Sequence, residues 1–163
     1  MIKNILFIFL FIVTAEVFGQ SESSEKQAIL DTVQKFFNSM AARDSLAASQ
    51  VLLQDGNYYA TRQEATGVLN RMNTFKAFAK RLQQDTTRLE ERMWNPTVLV
   101  HQTVAMVWTP YEFKSSGKLS HCGIDSFSLI KTPEGWKISH IVFTMEPDGC
   151  KEMKEYKVID HLR

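Results

Sequence analysis

The segment 103–145 is the feature that most constrains the fold, because it has the pattern of two consecutive β-hairpins. Apolar and polar residues alternate along three stretches, as they do in strands that bury one face. Short turn-forming segments at 115–117 and 132–135 separate the three stretches. The pattern predicts antiparallel strands at 103–114, 118–131 and 136–145.

The 163 residues favour one domain once a short leader is set aside. Residues 1–19 contain the parts of a secretory signal: Lys3, an apolar run at 5–13, and Gly19 before Gln20. The run is shorter than the roughly 20 residues that cross a bilayer. We therefore predict an exported protein, periplasmic or secreted, without membrane contact after signal cleavage; the alternatives are a retained anchor and a buried first helix. The domain would span 20–150, followed by a polar tail at 151–163.

The charge pattern argues against several classes of partner, and the absence of known motifs argues against a cofactor or a metal. The chain has 19 Lys and Arg residues against 18 Asp and Glu residues, and none of these charges forms a long block of one sign. Nucleic acid or an anionic membrane surface is therefore not expected as a partner. No phosphate loop, dinucleotide fingerprint, nucleophile elbow or metal-ligand spacing occurs, so we expect neither a cofactor nor a metal.

Helices and strands before the hairpins complete an α+β domain. Ser24 and Gln27 fit a capping box, and Asp44 can cap a second helix. Alternation from Arg88 onward is interrupted by Asn95-Pro96, which is typical of a bent, bulged or edge strand. The predicted elements are helices at 25–42, 45–53 and after Asn73 or Thr74, a turn at Asp55-Gly56, a loop at 62–67, and strands at 57–61, 88–94 and 97–100.

The centre of each turn predicts which side chains meet across the hairpins. With the first turn centred on 116–117, Trp108 lies opposite Asp125 and Glu112 opposite His121. With the second centred on 133–134, Asp125 lies opposite Val142, and Phe127 opposite His140. One face then has the composition of a ligand pocket, or of an ordinary core with an exposed rim. Its members are Met106, Trp108, Glu112, His121, Asp125, Phe127, Leu129, Trp136, Ile138, His140 and Val142.

In this register Asp125 and His140 are diagonal neighbours, roughly 7–8 Å apart between backbones. An imidazole oriented by a carboxylate is a general acid/base unit, and the alternative is a structural hydrogen bond for a half-buried Asp. His121 cannot join Asp125, because four residues along a strand span about 13 Å. Tyr58 and Tyr59 point to opposite faces, so one of them can supply a phenol to the pocket.

The two cysteines, Cys122 and Cys150, have two interpretations. In an oxidising compartment they can form a disulfide closing about 28 residues, and otherwise they remain unpaired thiols.

The order of these elements resembles the nuclear-transport-factor-2-like (NTF2-like) superfamily. The matching motifs are Val107-Trp108-Thr109-Pro110-Tyr111-Glu112-Phe113, His121-Cys122-Gly123-Ile124-Asp125-Ser126-Phe127 and Gly135-Trp136-Lys137-Ile138. They are similar to exported bacterial members, which resemble SnoaL-like and lumazine-binding-like proteins. The resemblance implies a cone-shaped curved sheet wrapped around about three helices, with an apolar cavity inside. It also implies a bridge from Cys122 to Cys150, because such proteins often carry a Cys after the last strand.

Three functions are compatible with this resemblance. The first is an exported binding module for a small apolar or amphipathic ligand, with Trp108, Phe127 and Val142 as walls. The second is a cofactor-free lyase, isomerase or hydrolase in which Asp125 and His140 move a proton. The third is a homodimeric interaction module that uses the outer face of the sheet. Further candidate ligand contacts are Tyr59 and His121.

Overall fold

The computed structural model describes residues 13–148 and 150–155, with side chains placed from Glu22 onward except that of Glu152. The helices are α1 (Val13–Ala42), α2 (Ser45–Val51), α3 (Phe75–Gln84) and α4 (Cys150–Glu155). The strands are β1 (Leu52–Glu64), β2 (Gly67–Thr74), β3 (Leu89–Met93), β4 (Thr97–His101), β5 (Val104–Ser115), β6 (Lys118–Thr132) and β7 (Gly135–Thr144). Most of the predicted signal segment, residues 1–12, and the tail after residue 155 lie outside this description.

All seven described strands form one curved sheet, in the order β2-β1-β7-β6-β5-β3, with β4 also paired to β5. The β1–β7 pair is parallel and the other pairs are antiparallel. The two hairpins β5–β6 and β6–β7 are confirmed, as is the α+β class. The curvature gives the sheet a concave inner face, which the helices cover, and a convex outer face.

The core lies between the inner face and α1. Ile29, Val33 and Phe37 on α1 are fully or almost fully buried, and so are Phe127 on β6 and Ile138 on β7. Burying side chains of this size stabilises a fold by about 1.5–3 kcal/mol each. In the described part of the chain, no helix is long and apolar enough to cross a membrane.

Two predicted helix caps are confirmed, and one predicted helix start is wrong. Asp44 Oδ1 accepts hydrogen bonds from the backbone N–H groups of Leu46 (3.0 Å) and Ala47 (2.9 Å) at the start of α2. Thr74 caps α3 in the same way. Helix α1 already includes Val13, the first described residue, rather than beginning at residue 25, so Ser24 lies inside it. A capping box starts a helix only where the preceding residues leave the helical conformation, and here they do not.

Gly56 does not form the predicted turn but lies inside β1, which begins directly after α2. A Cβ atom at this position would lie 2.5 Å from the Phe75 ring and 2.7 Å from the Ser139 carbonyl oxygen. Glycine is therefore needed here, because Phe75 and the backbone of Ser139 lie too close to β1 to leave room for a side chain.

The predicted loop at 62–67 is also wrong, because β1 continues to Glu64 and turns into β2. Strand β2 forms an edge of the sheet, and Val68 and Met72 remain exposed on it. An edge strand with little burial on either face shows no clear alternation, which explains why the sequence did not reveal it.

Both predicted hairpin registers are wrong by one residue. Trp108 pairs with Ser126 rather than Asp125, and Glu112 pairs with Cys122 rather than His121, because a bulge lies between Phe113 and Lys114. In the second hairpin, Asp125 pairs with Phe143 and Phe127 with Ile141, because of a bulge between Ser128 and Leu129. Each bulge inserts one residue, and a one-residue shift moves a strand's side chains to the opposite face.

Candidate functional site

A cavity of about 190 Å³ lies between the inner face of the sheet and helices α1 and α3. More than half of its lining residues are Phe or Tyr, and the polar groups are concentrated on β3, β5 and β6. The lining residues are Phe36, Met40, Tyr58, Phe75, Phe78, Leu89, Glu91, Tyr111, Phe113, His121, Asp125, Phe127, Ile141, Phe143 and Met145. An enclosed apolar space with a few converging polar groups is the usual form of a small-molecule site.

This cavity is lined by three of the candidate residues that the sequence analysis identified: His121, Asp125 and Phe127. The other four candidate residues lie on the outer face of the sheet. The two bulges shift the strand registers, and Tyr58 rather than Tyr59 points inward. The four outer residues are Tyr59, Trp108, His140 and Val142.

The predicted acid/base pair of Asp125 and His140 does not form, because their side chains lie on opposite faces of the sheet. His140 instead places its Nδ1 atom 2.5 Å from Asn57 Oδ1. Its ring packs edge-on against Tyr59, with 5.8 Å between the ring centroids. The imidazole therefore belongs to the outer surface.

The partner of Asp125 is Glu91 on β3. Asp125 is only 2% exposed, and no N–H or O–H group of the described protein donates a hydrogen bond to its Oδ2 atom. Glu91 is partly exposed as a residue, and it lines the cavity as the hydrogen-bonding neighbour of Asp125. Two carboxyl groups form a hydrogen bond only when one of them is protonated. The pair must therefore share at least one proton.

Burial is the main cause of the altered acidity of this pair. It raises the pKa of Glu91 to about 7, which the hydrogen bond from Asp125 partly opposes. Burial, the nearby charge of Glu91 and the hydrogen bond to Glu91 all hold the pKa of Asp125 well above its ordinary value. The arrangement is that of two carboxyls in one dry site, where double ionisation is unfavourable.

The neighbouring polar side chains remain uncharged near neutral pH. Tyr111 donates a hydrogen bond to the Thr144 carbonyl oxygen at 2.7 Å, and burial raises the pKa of its phenol. Burial also raises the pKa of Tyr58, whose hydroxyl oxygen accepts a hydrogen bond from Arg81. Burial lowers the pKa of His121, whose ring stacks on that of Phe113 at 4.9 Å between centroids.

Glu91 was not among the candidate residues from the sequence, although a signal was present. It stands between Leu89 and Met93 with a spacing of two, so all three share one face of β3. An acidic residue on the apolar face of a strand is uncommon and indicates a paired or functional carboxyl. Its partner on β6 is distant in the sequence, and no local pattern identifies it.

A disulfide lies next to the cavity and joins Cys122 on β6 to Cys150 at the start of α4, with 5.4 Å between the Cα atoms. Beside it, the backbones of Cys122 and Glu146 exchange hydrogen bonds of 3.1 and 2.8 Å. On α4, Lys154 Nζ lies 3.6 Å from Glu112 Oε2 and 5.6 Å from the centre of the Trp94 ring. The first part of the predicted polar tail is thus a helix packed against the sheet.

No metal site accompanies these groups. Among residues 13–148 and 150–155, no cluster of three or more His, Cys, Asp or Glu side chains is placed to hold a metal ion.

Comparison with known proteins places this architecture in a family. Residues 24–144 match the family described as "Putative lumazine-binding", well over half of the chain. This chain belongs to that family. The lumazine-binding family match and the structural neighbours below also confirm the predicted membership of the NTF2-like superfamily. No curated protein sequence matches the chain.

Solved structures of low sequence identity share the fold of this lumazine-binding family domain. An NTF2-like protein with a cystatin-like fold from Novosphingobium aromaticivorans aligns with a TM-score of 0.64 at 13% identity, covering 90% of this chain and 99% of that one. An NTF2-like protein from Cytophaga hutchinsonii gives 0.63 at 14% identity, covering 74% and 98%. An NTF2-like superfamily protein from Salmonella enterica gives 0.61 at 16% identity, covering 77% and 93%.

Proposed function

We propose that this protein is a small-molecule-binding domain whose ligand occupies the cavity and contacts the Glu91–Asp125 pair. The observation that carries the proposal is a buried carboxyl, Asp125, that lines an aromatic cavity without a donor for its Oδ2 atom among the described protein groups. The family name, which refers to lumazine binding, supports the same conclusion.

The energetics of the carboxyl pair support a role in binding. Burying a carboxyl group in apolar surroundings destabilises a folded protein unless the group is fully hydrogen-bonded. The apolar residues that line the cavity, such as Phe36, Phe127 and Phe143, provide no compensating donor. Strongly perturbed carboxyls in a cavity are typical of functional sites, where a ligand completes the hydrogen bonding.

Native mass spectrometry of the protein purified from its own host tests this proposal. We expect a non-covalent complex with a small molecule, because the aromatic lining of the cavity can bury the apolar surface of a ligand. Ile141→Trp places a larger side chain in the cavity and is expected to remove the bound mass. Val142→Trp is the matched control, because the adjacent residue lies on the outer face.

A wild-type protein that binds neither a co-purifying molecule nor added lumazine would contradict the proposal. Equal retention of the ligand by folded Ile141→Trp and Val142→Trp would contradict the location in the cavity. Circular dichroism of both variants establishes that each is folded.

The outer face supports a second proposed activity, self-association. One row of paired residues crosses this face without a Lys, Arg, Asp or Glu: Met72, Tyr59, Val142, Ser126, Trp108 and Thr97. The neighbouring residues Met106 and Leu99 are also paired and exposed. Contiguous apolar surface of this kind favours protein contacts, and a self-complementary surface favours a two-fold dimer. We propose that a second copy of this chain covers it.

Light scattering after size-exclusion chromatography tests the dimer. We expect the wild type to have twice the mass of one chain, and Trp108→Glu to have the mass of one chain, because it introduces a charge at the centre of the face. Leu46→Glu is the control, since Leu46 is 71% exposed on α2 and its replacement leaves the sheet unchanged. A wild type that remains monomeric at high concentration would contradict the proposal.

A further inference from the structure

The charge inside the cavity is uncompensated. Ionisation of Glu91 places one negative charge in the cavity, and burial together with this charge opposes ionisation of the adjacent Asp125. No Lys or Arg belongs to the lining residues that the structure describes. A cation next to the lining is Arg81, an exposed residue that contacts the hydroxyl of Tyr58.

The walls of the cavity reinforce this negative character. Phe36, Phe78 and Phe127 form a cluster with ring centroids 5.6–6.3 Å apart. Tyr58 and Phe143 extend it along β1 and β7, with 6.0 Å between their ring centroids. The faces of aromatic rings carry negative partial charge and attract cations, most strongly where water is excluded.

These two observations together define a class of ligand. We infer that the cavity binds a protonated organic amine, with its ammonium group at the Glu91–Asp125 pair and its apolar body among the aromatic rings. This inference rests on the proposed binding function and adds the charge of the ligand to it.

The hydrogen-bonding groups of a protonated amine are complementary to those of the carboxyl pair. An ammonium group offers several N–H donors and no acceptor, while Glu91 and Asp125 present oxygen atoms that need donors. Tyr111 donates its hydroxyl hydrogen to the Thr144 carbonyl oxygen, so its own oxygen can serve a ligand only as an acceptor. A carboxylate group placed at the Glu91–Asp125 pair would meet a like charge, and a neutral alcohol would leave the charge of Glu91 unpaired.

Isothermal titration calorimetry at pH 8 with three compounds of similar shape tests this inference. They are 2-phenylethylamine (positive), 2-phenylethanol (neutral) and phenylacetate (negative). We expect the amine to bind at least about tenfold more tightly than the alcohol, because its hydrogen bonds are charge-assisted and its charge contacts aromatic rings. No binding of phenylacetate is expected.

Glu91→Gln removes the charge and retains a side chain of the same shape, so the preference for the amine over the alcohol should disappear. Glu90→Gln is the matched control, because Glu90 lies on the opposite face of β3 and pairs with Arg88 at the surface. This control should keep the preference. If Glu91→Gln does not fold, the ratio measured on the wild type decides alone.

Equal binding of the amine and the alcohol would overturn the inference and leave the proposed binding function intact. Tighter binding of phenylacetate, or no binding of any of the three compounds, would also overturn it. The proposed function is judged separately, by whether the protein purified from its own host carries a bound molecule.

Discussion

Replacing Asp125 by Asn is expected to stabilise the free protein at pH 8, seen as a higher free energy of unfolding than that of the wild type. Asn has the shape of Asp and can still donate a hydrogen bond to Glu91, but it has no proton to retain. In the wild type at this pH the unfolded chain ionises Asp125, whereas burial in the folded protein raises the pKa of Asp125 and disfavours its ionised form. That difference disfavours folding.

The pH dependence has a definite sign. The pKa of each carboxyl is raised on folding, so the folded state holds more protons than the unfolded state once the pH exceeds about 4. Stability therefore falls with rising pH, by about 1.4 kcal/mol per unit for each group, until the folded state also ionises. For Glu91 the fall ends near pH 7, and for Asp125 it ends at the raised pKa of that carboxyl. Of the other titratable lining groups, Tyr58 and Tyr111 stay neutral across this window. Burial lowers the pKa of His121, so this group alone makes stability rise with pH at the acidic end, equally in the wild type and in Asp125→Asn.

Urea unfolding at pH 4.5 and pH 8 measures the effect. The advantage of Asp125→Asn over the wild type should be small at pH 4.5 and large at pH 8. Asp148→Asn changes an exposed carboxyl instead and should behave as the wild type at both values. An Asp125→Asn variant that is less stable than the wild type at pH 8 would show that the buried carboxyl stabilises the fold.

Removal of the disulfide is expected to destabilise the protein by about 3–4 kcal/mol, because the bridge closes a loop of 28 residues that is otherwise free in the unfolded chain. The double variant Cys122→Ser with Cys150→Ser leaves no unpaired thiol in either position. Helix α4 loses its covalent attachment to β6 in this variant, and its remaining contacts are weak surface contacts such as that of Lys154 with Glu112.

Thermal unfolding with and without reductant measures this effect. Reductant should lower the midpoint of the wild type by about 10 °C and leave the double variant unchanged. An unchanged wild type under full reduction, verified by thiol titration, would contradict the expected contribution of the bridge.

Local sequence signals predicted the elements of the fold, because each signal acts within a few residues. Asp44 accepts hydrogen bonds from residues only two and three positions away, and the turns of both hairpins contain their own turn-forming residues. The edge strand β2 was missed because it buries little on either face. Helix α1 was predicted too short because the residues before Ser24 also continue the helix.

The prediction of the candidate site depended on the register of strand pairing, which no motif in the sequence reveals. The bulge between Phe113 and Lys114 and the bulge between Ser128 and Leu129 each insert one residue without a distinctive motif. The prediction correctly placed Asp125 among the inward-facing residues. Trp108, His140 and Val142, which were predicted to be its neighbours, lie on the outer face instead. The actual partner of Asp125, Glu91, comes from a strand that the curvature of the sheet brings close.

Carbon-13 NMR titration of the side-chain carboxyls tests the central claim most directly, since it follows Glu91 and Asp125 individually in the folded protein. We expect Glu91 to titrate near pH 7 and Asp125 to titrate well above the ordinary range of an Asp side chain, as a pair sharing a proton inside the cavity requires. Ionisation of both carboxyls near pH 4 would contradict the shared proton, and with it the assignment of this pair as the polar end of the binding site.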